Sequence, residues 1–100
     1  MTENYLVFVG TYASTDNPGV YTYHLDISTG RLKQIDSTIG LENPSFLAID
    51  PEHRTLYAVN EVAEINGQPT GAVSAFSIDS LTGKLHYLNQ AYTGSPGPCH

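Results

Sequence analysis

A stretch of the chain recurs about fifty residues further on, and this repeat narrows the possible folds more than any other feature. Gly19-Val-Tyr-Thr-Tyr-His-Leu-Asp26 runs into Ile-Ser-Thr-Gly-Arg-Leu32, and Gly71-Ala-Val-Ser-Ala-Phe-Ser-Ile-Asp79 runs into Ser-Leu-Thr-Gly-Lys-Leu85. Setting Gly30 on Gly83 superposes Val20 on Val73, Tyr23 on Phe76, Asp26 on Asp79, Thr29 on Thr82 and Leu32 on Leu85. The shared Asp-x-x-Thr-Gly-[Arg/Lys]-Leu is a hairpin loop: Asp caps the turn with its carboxylate, and Gly takes the left-handed position. Two fainter echoes slip by a residue. Asn43-Pro-Ser45 matches Gly97-Pro-Cys99, and Leu6-Val-Phe-Val-Gly10 matches Leu56-Tyr-Ala-Val-Asn60.

Between these markers the chain alternates short runs of Val, Ile, Leu, Tyr and Phe with turn residues, so strands are expected at 5–11, 20–25, 32–37, 46–49, 56–59, 73–78 and 85–92. No window carries the 3.6-residue apolar period of a long helix. Runs such as Leu6–Val9 and Leu56–Val59 are apolar on both faces, as in a sheet covered on both sides. The fold class is therefore all-β, with stacked sheets. A repeat of this length with four strands, A to D, has the size of one blade of a β-propeller. Strands B, C and D of a first blade fall at about 5–39, and A to D of a second at about 44–93. Residues 97–100 begin a third. The first blade lacks an A strand, and repeat folds need at least about three units. The expectation is that residues 1–100 form the N-terminal portion of one longer propeller domain, its ring closed by a strand from the C-terminus.

Composition excludes several functions. Lys and Arg total 4 against 10 Asp and Glu, a net charge of −6. Nucleic acid binding rests on Lys and Arg against phosphates, so it is not expected; nor is a polybasic membrane contact. The apolar run Tyr5–Val9 is too short to span a bilayer, and Glu3 stands where a signal peptide carries a positive charge. The single Cys forms no internal disulfide, which points to the cytoplasm.

The long B-to-C connections, Tyr12–Pro18 and Glu61–Thr70, single out one side of the meander. Gly10, Thr11, Tyr12, Asn43, Ser45, Asn60, Glu61, Cys99 and His100 fall there; Arg31, Lys33, Arg54 and Lys84 fall on the other. His100 is either a general base facing the channel or a strand-end residue bonded to a neighbouring blade. Glu61 either orients water or caps its loop. Asn60 suits a loop tie, and Asn43-Pro-Ser45 a strand-start device. Cys99 has no cation nearby to make a thiolate and is expected as buried filler. His24, His53 and His86 have no metal-ligand spacing, no glycine-rich phosphate loop is present, and no metal or other cofactor is expected.

Taken in order, Gly10-Thr-Tyr12, Gly19-Val-Tyr-Thr-Tyr23, Asp26-x-x-Thr-Gly30-x-Leu32, Asn43-Pro-Ser-Phe-Leu47, Leu56-Tyr-Ala-Val-Asn-Glu61, Gly71-Ala-Val-Ser-Ala-Phe76 and Pro98-Cys-His100 resemble the lactonase seven-bladed β-propellers. This group is also called the 6-phosphogluconolactonase or cycloisomerase-2 family. The likeness covers about Tyr5 to His100. Members run several blades further; the absence of Trp separates the chain from Trp-Asp repeat propellers. The resemblance implies a seven-bladed ring that hydrolyses 6-phospho-glucono-δ-lactone, a small sugar-phosphate lactone, by attack of water on the ester carbonyl. His100 and Glu61 would be the acid/base candidates, with Asn60, Ser45 and Tyr12 as substrate contacts. The phosphate-binding cations would come from later blades. Relatives that open or close muconate-type lactones, and a non-catalytic propeller binding a protein or sugar on the same face, stay as alternatives.

Overall fold

A computed structural model describes residues 4–100. Seven strands follow in order: β1 (Asn4–Gly10), β2 (Val20–Asp26), β3 (Arg31–Thr38), β4 (Leu47–Asp50), β5 (Thr55–Asn60), β6 (Ala72–Ile78) and β7 (Leu85–Tyr92). They form two antiparallel meanders, a three-stranded sheet β1-β2-β3 and a four-stranded sheet β4-β5-β6-β7. No helix occurs among the described residues. Each expected strand is present, with its ends within one residue of the sequence reading.

The sheets stack through one face each. Val20 and Thr22 of β2 meet Leu56 and Ala58 of β5 and Phe76 of β6, all buried, with Leu41 from the β3–β4 connection closing the layer. Phe8, Leu47, Ile78 and Leu85 pack around this cluster. Each large apolar side chain buried there contributes roughly 1.5–3 kcal/mol relative to exposure. Period-two alternation sends Tyr57, between Leu56 and Ala58, to the opposite face of the second sheet, where it is exposed.

The repeat is also a repeat of irregularity. Thr22 pairs with Asp36 and Tyr23 with Gln34, leaving Ile35 as a bulge. In the second sheet Ala75 pairs with Asn89 and Phe76 with Tyr87, leaving Leu88 in the equivalent place. A bulge re-aims the extra side chain. Ile35 is aimed at the second sheet, where its Cδ1 lies close to the Gly83 turn.

The two Asp-x-x-Thr-Gly turns share one hydrogen-bond plan. Gly30 N–H donates to Asp26 O and Gly83 N–H to Asp79 O, both at 2.7 Å. Asp26 Oδ1 accepts from Ser28 N–H at 2.9 Å and from Ser28 Oγ at 2.6 Å. Asp79 Oδ1 accepts from the amides of Leu81 and Thr82 at 2.9 and 3.2 Å. These bonds hold both carboxyls below the usual aspartate range, the Ser28 hydroxyl leading at Asp26 and the Leu81 amide at Asp79. A depressed native pKa favours the fold above the unfolded value of about 3.9 and loses that effect as acid protonates the native carboxylate.

Gly30 and Gly83 both have left-handed backbones, φ 76° and 74°. Their surroundings differ. A Cβ on Gly30 would meet open space, whereas one on Gly83 would lie 2.8 Å from Thr22 Cγ2 and 3.0 Å from Ile35 Cδ1. The second turn is thus seated on the first sheet, and Thr22 Oγ1 donates to Gly83 O at 3.3 Å. In the full-length protein, Gly30→Ala is expected to cost on the order of 1–2 kcal/mol from left-handed strain alone. Gly83→Ala adds overpacking against Thr22 and Ile35, for a further cost of roughly 1–3 kcal/mol. Denaturant midpoints of the two variants, compared at constant m, check the ordering.

Candidate active site

Strand ends fix what gathers on the loop side. β1 and β5 finish there, and the chain re-enters it just before β4 and again after β7. Asn43 makes the first re-entry in a left-handed conformation (φ 47°), which Asn tolerates better than most residues. Its backbone and side chain tie three segments together. Asn43 N–H donates to Ala13 O at 2.8 Å, in the loop after β1. Asn43 O accepts from Ser45 N–H at 2.8 Å and from Glu61 N–H at 3.1 Å. Asn43 Nδ2 donates to Glu61 O at 3.2 Å. The following Pro44 is fully buried against Gly19, where a Cβ would lie 2.8 Å from Pro44 Cγ.

The same device recurs at the second re-entry. Gly97 (φ 69°) donates its N–H to Val62 O at 2.9 Å, and Pro98 packs on Gly71 so closely that no Cβ fits there. The motif Asn43-Pro-Ser45 is thus more than a turn signal: it assembles the site.

Three of the expected residues meet as a result. Ser45 Oγ donates to Glu61 Oε1 at 2.6 Å, and Tyr12 OH donates to the same oxygen at 2.9 Å, across 49 positions of sequence. The two donors, Ser45 first and Tyr12 second, hold the Glu61 carboxyl below the usual glutamate range. Tyr12 is shifted the opposite way: the Glu61 hydrogen bond and then the Glu61 charge raise its phenol above the ordinary value. Glu61 is therefore a fixed anion at neutral pH and a weaker base than an ordinary glutamate, which suits it to holding a ligand better than to moving a proton.

His100 sits at the second A-strand start. Its Nδ1 lies 3.4 Å from Cys99 Sγ, and its ring stands edge-on to Phe46, centroids 6.3 Å apart at 74°. Phe46 directly follows Ser45, so the histidine belongs to the same end of the molecule as the Tyr12–Glu61–Ser45 trio. Phe46 was legible only as a strand residue; its repeat position, matching His100, is the signal that placed it here.

One expectation needs correction. Cys99 is exposed rather than buried filler, because Pro98 takes the packing position on Gly71 and the chain then carries Cys99 to the rim. Asn60, read from the residues as a loop tie and by resemblance as a substrate contact, is 3% exposed. Strand alternation puts it on the inner face with Leu56 and Ala58. There Nδ2 donates to Glu42 O at 2.9 Å, while Oδ1 accepts from Ser74 Oγ at 2.7 Å and Gln90 Nε2 at 3.2 Å. Asn60 braces the end of β5 from which Glu61 projects.

The other end carries the cations. Arg31 opens β3, Arg54 lies in the β4–β5 turn beside the His53–Asp50 contact (Nδ1 to Oδ2, 2.7 Å), and Lys84 lies in the β6–β7 turn. Among the described residues no group of three or more His, Cys, Asp and Glu is placed to hold a metal ion. A cavity of about 310 Å³ opens elsewhere, walled by Leu41, Phe76 and Tyr87. It contains no acid or base, and its polar residues Ser74 and Gln90 are already bonded to Asn60. It is a packing gap between the sheets.

Residues 6–100 match the family described as lactonase, 7-bladed beta-propeller. The chain belongs to the lactonase propeller family. A 6-phosphogluconolactonase from Bacillus subtilis is 32% identical over 96 residues, which is 96% of this chain and 26% of that protein. A 6-phosphogluconolactonase from Formosa agariphila is 28% identical over 95 residues, 94% of this chain and 26% of the relative. Among solved structures, a proposed 6-phosphogluconolactonase from Bacteroides fragilis superposes with a TM-score of 0.83 at 33% identity, covering 96% of this chain and 26% of that one. A periplasmic gluconolactonase from Pseudomonas aeruginosa gives 0.81 at 30%, covering 96% and 27%. The chain thus spans about a quarter of the length of these relatives. The two sheets are blades of the family's propeller fold, and no described helix is long and apolar enough to cross a membrane.

The ordering of the donors at Glu61 yields a measurable consequence. Ser45→Ala is expected to move the Glu61 pKa upward more than Tyr12→Phe does, since the shorter bond is the larger cause. Side-chain carboxyl NMR titration of the full-length protein reads both shifts; a larger shift in Tyr12→Phe would reverse the assigned order.

Proposed function

We propose that the full-length protein is a lactone hydrolase that opens 6-phospho-glucono-δ-lactone to 6-phosphogluconate. The observation that carries this reading is the convergence of Tyr12, Ser45, Glu61 and His100 at one end of a lactonase-family scaffold. Relatives named as 6-phosphogluconolactonases support the substrate, and the two sheets here would be the opening blades of a single ring of seven.

In the proposed reaction His100 takes a proton from water as the water oxygen bonds to the lactone carbonyl carbon. The tetrahedral adduct collapses by breaking the bond to the ring oxygen, and His100 returns the proton to that leaving oxygen. Histidine suits both half-steps because its ordinary pKa lies near neutrality. Nδ1 faces the Cys99 sulfur and the ring stands edge-on to Phe46, so Nε2 is the nitrogen assigned to water in this reading. Glu61 holds substrate with Tyr12 and Ser45 rather than exchanging protons. Donors for the oxyanion and cations for the phosphate are assigned to other blades, because the four Lys and Arg of this portion lie at the far end. The lone cysteine suits a reducing compartment, and we place the enzyme in the cytoplasm on that ground, in contrast to the periplasmic Pseudomonas relative.

His100→Ala in the full-length protein should lower kcat by roughly 10²–10⁴-fold, the usual worth of a positioned general acid or base. Cys99→Ala should change kcat far less than His100→Ala, because in the proposed reaction the histidine and not the thiol exchanges the proton. The assay follows hydrolysis of freshly prepared 6-phospho-glucono-δ-lactone against its spontaneous opening at the same pH. Full activity in His100→Ala would remove the histidine from the chemistry. An inactive wild type would move the reading to muconate-type lactones or a binding propeller.

A further inference from the structure

We propose that Tyr12, Glu61 and Ser45 form the subsite for the ring hydroxyls of a polyhydroxylated lactone, and that the phosphate of a phosphorylated substrate is held away from them. The proposal rests on the lactonase reading and deepens it. Ser45 and Tyr12 both direct their hydroxyl protons at Glu61 Oε1, at 2.6 and 2.9 Å. Each hydroxyl has only one proton, so what they present outward is lone pairs. Glu61 Oε2 has no hydrogen-bond partner among the described residues and is an acceptor as well. The outward face of the trio therefore consists of acceptors alone, carried by a fixed negative charge.

Such a face fits one class of ligand group. Neighbouring hydroxyls of an aldonolactone are donors, and a hydroxyl-to-carboxylate bond is charge-assisted. A phosphate dianion or a ligand carboxylate brings further acceptors and the same sign of charge, which is repulsive. Among the described residues no cation offsets this locally: Arg31 and Lys33 lie at the start of β3, and Arg54 and Lys84 in turns, all at the opposite end. The trio is also reachable, with Tyr12 70% exposed and Ser45 and Glu61 half-buried. The residues around it are set to read a sugar ring by its hydroxyls and to be indifferent to whether position six carries phosphate.

A cycle that varies both enzyme and substrate tests this in the full-length protein. Glucono-δ-lactone, its 6-phosphate and the monodeoxy glucono-lactones are hydrolysed by wild type, Glu61→Gln and Tyr12→Phe. Binding of glucono-δ-lactam, which these steps do not open, is followed in parallel by calorimetry. Glu61→Gln should lower kcat/KM by roughly 10–100-fold, the worth of a hydrogen bond to a charged group. The loss should be equal on the free and phosphorylated lactones, and should shrink below about threefold on at least one deoxy analogue that already lacks the bonded hydroxyl. Tyr12→Phe, at an exposed position that leaves folding intact, should show the same pattern at smaller amplitude. An unequal loss that favours the 6-phosphate after Glu61→Gln would place the phosphate beside Glu61 and overturn the proposal. So would an undiminished loss on every deoxy analogue, which would make the trio structural. Glu61-dependent binding of the lactam by a wild type that opens no lactone would support the subsite while refuting the lactonase reading; no binding of the lactam would overturn the subsite.

Discussion

Everything at the loop end depends on how the chain passes from one sheet to the next at Asn43-Pro44. Pro44 is fully buried on Gly19, and Asn43 turns the backbone through a left-handed conformation. A proline here has no amide hydrogen to satisfy, so it can be buried at low cost where another residue would leave an unpaired donor. Asn43 then gives its amide to the loop after β1 and its carbonyl and carboxamide to Glu61 at the end of β5. That junction brings Ser45, two residues ahead of β4, within reach of Glu61, the residue that Tyr12 bonds from across the sheet boundary.

The junction also explains why the two ends of the molecule differ chemically. Hairpin turns at one end are short, capped by Asp26 and Asp79, and followed by Arg31 and Lys84 on the solvent side. The seating of Gly83 on Thr22 and Ile35 makes that end a packing surface between blades. At the other end the longer connections leave room for side chains to converge. The charge of Glu61 is held there by two neutral donors instead of a cation, so the site keeps net negative character and an open set of acceptors. In the proposed reaction that arrangement would divide labour between an anion that binds and a histidine that moves protons.

Much of this was legible in the chain. Strand positions, the two hairpin glycines and the side on which Tyr12, Ser45, Glu61 and His100 gather all follow from local pattern. Alternation and turn chemistry act over a few residues, and an internal repeat tests each local reading against a second copy. Asn60 and Cys99 each lie where two local rules meet, and of the two Cys99 was misplaced. Asn60 occurs at a strand end beside a loop, yet the parity of β5 carries it inward; Cys99 follows a proline that takes the buried position in its stead.

The amino-acid sequence by itself determined an all-β repeat, its blade-sized period, its turns and a loop end free of cations, since these depend on backbone sterics and short-range periodicity. Only the tertiary structure decided that Tyr12 and Ser45 share one oxygen of Glu61, residues 49 and 16 positions apart from it. It alone decided that Asn60 is a brace and that Phe46 flanks His100. Those contacts depend on the stacking of one sheet on the next, and stacking is set by packing at Pro44, Gly83 and the bulged Ile35, which no nearest-neighbour pattern encodes.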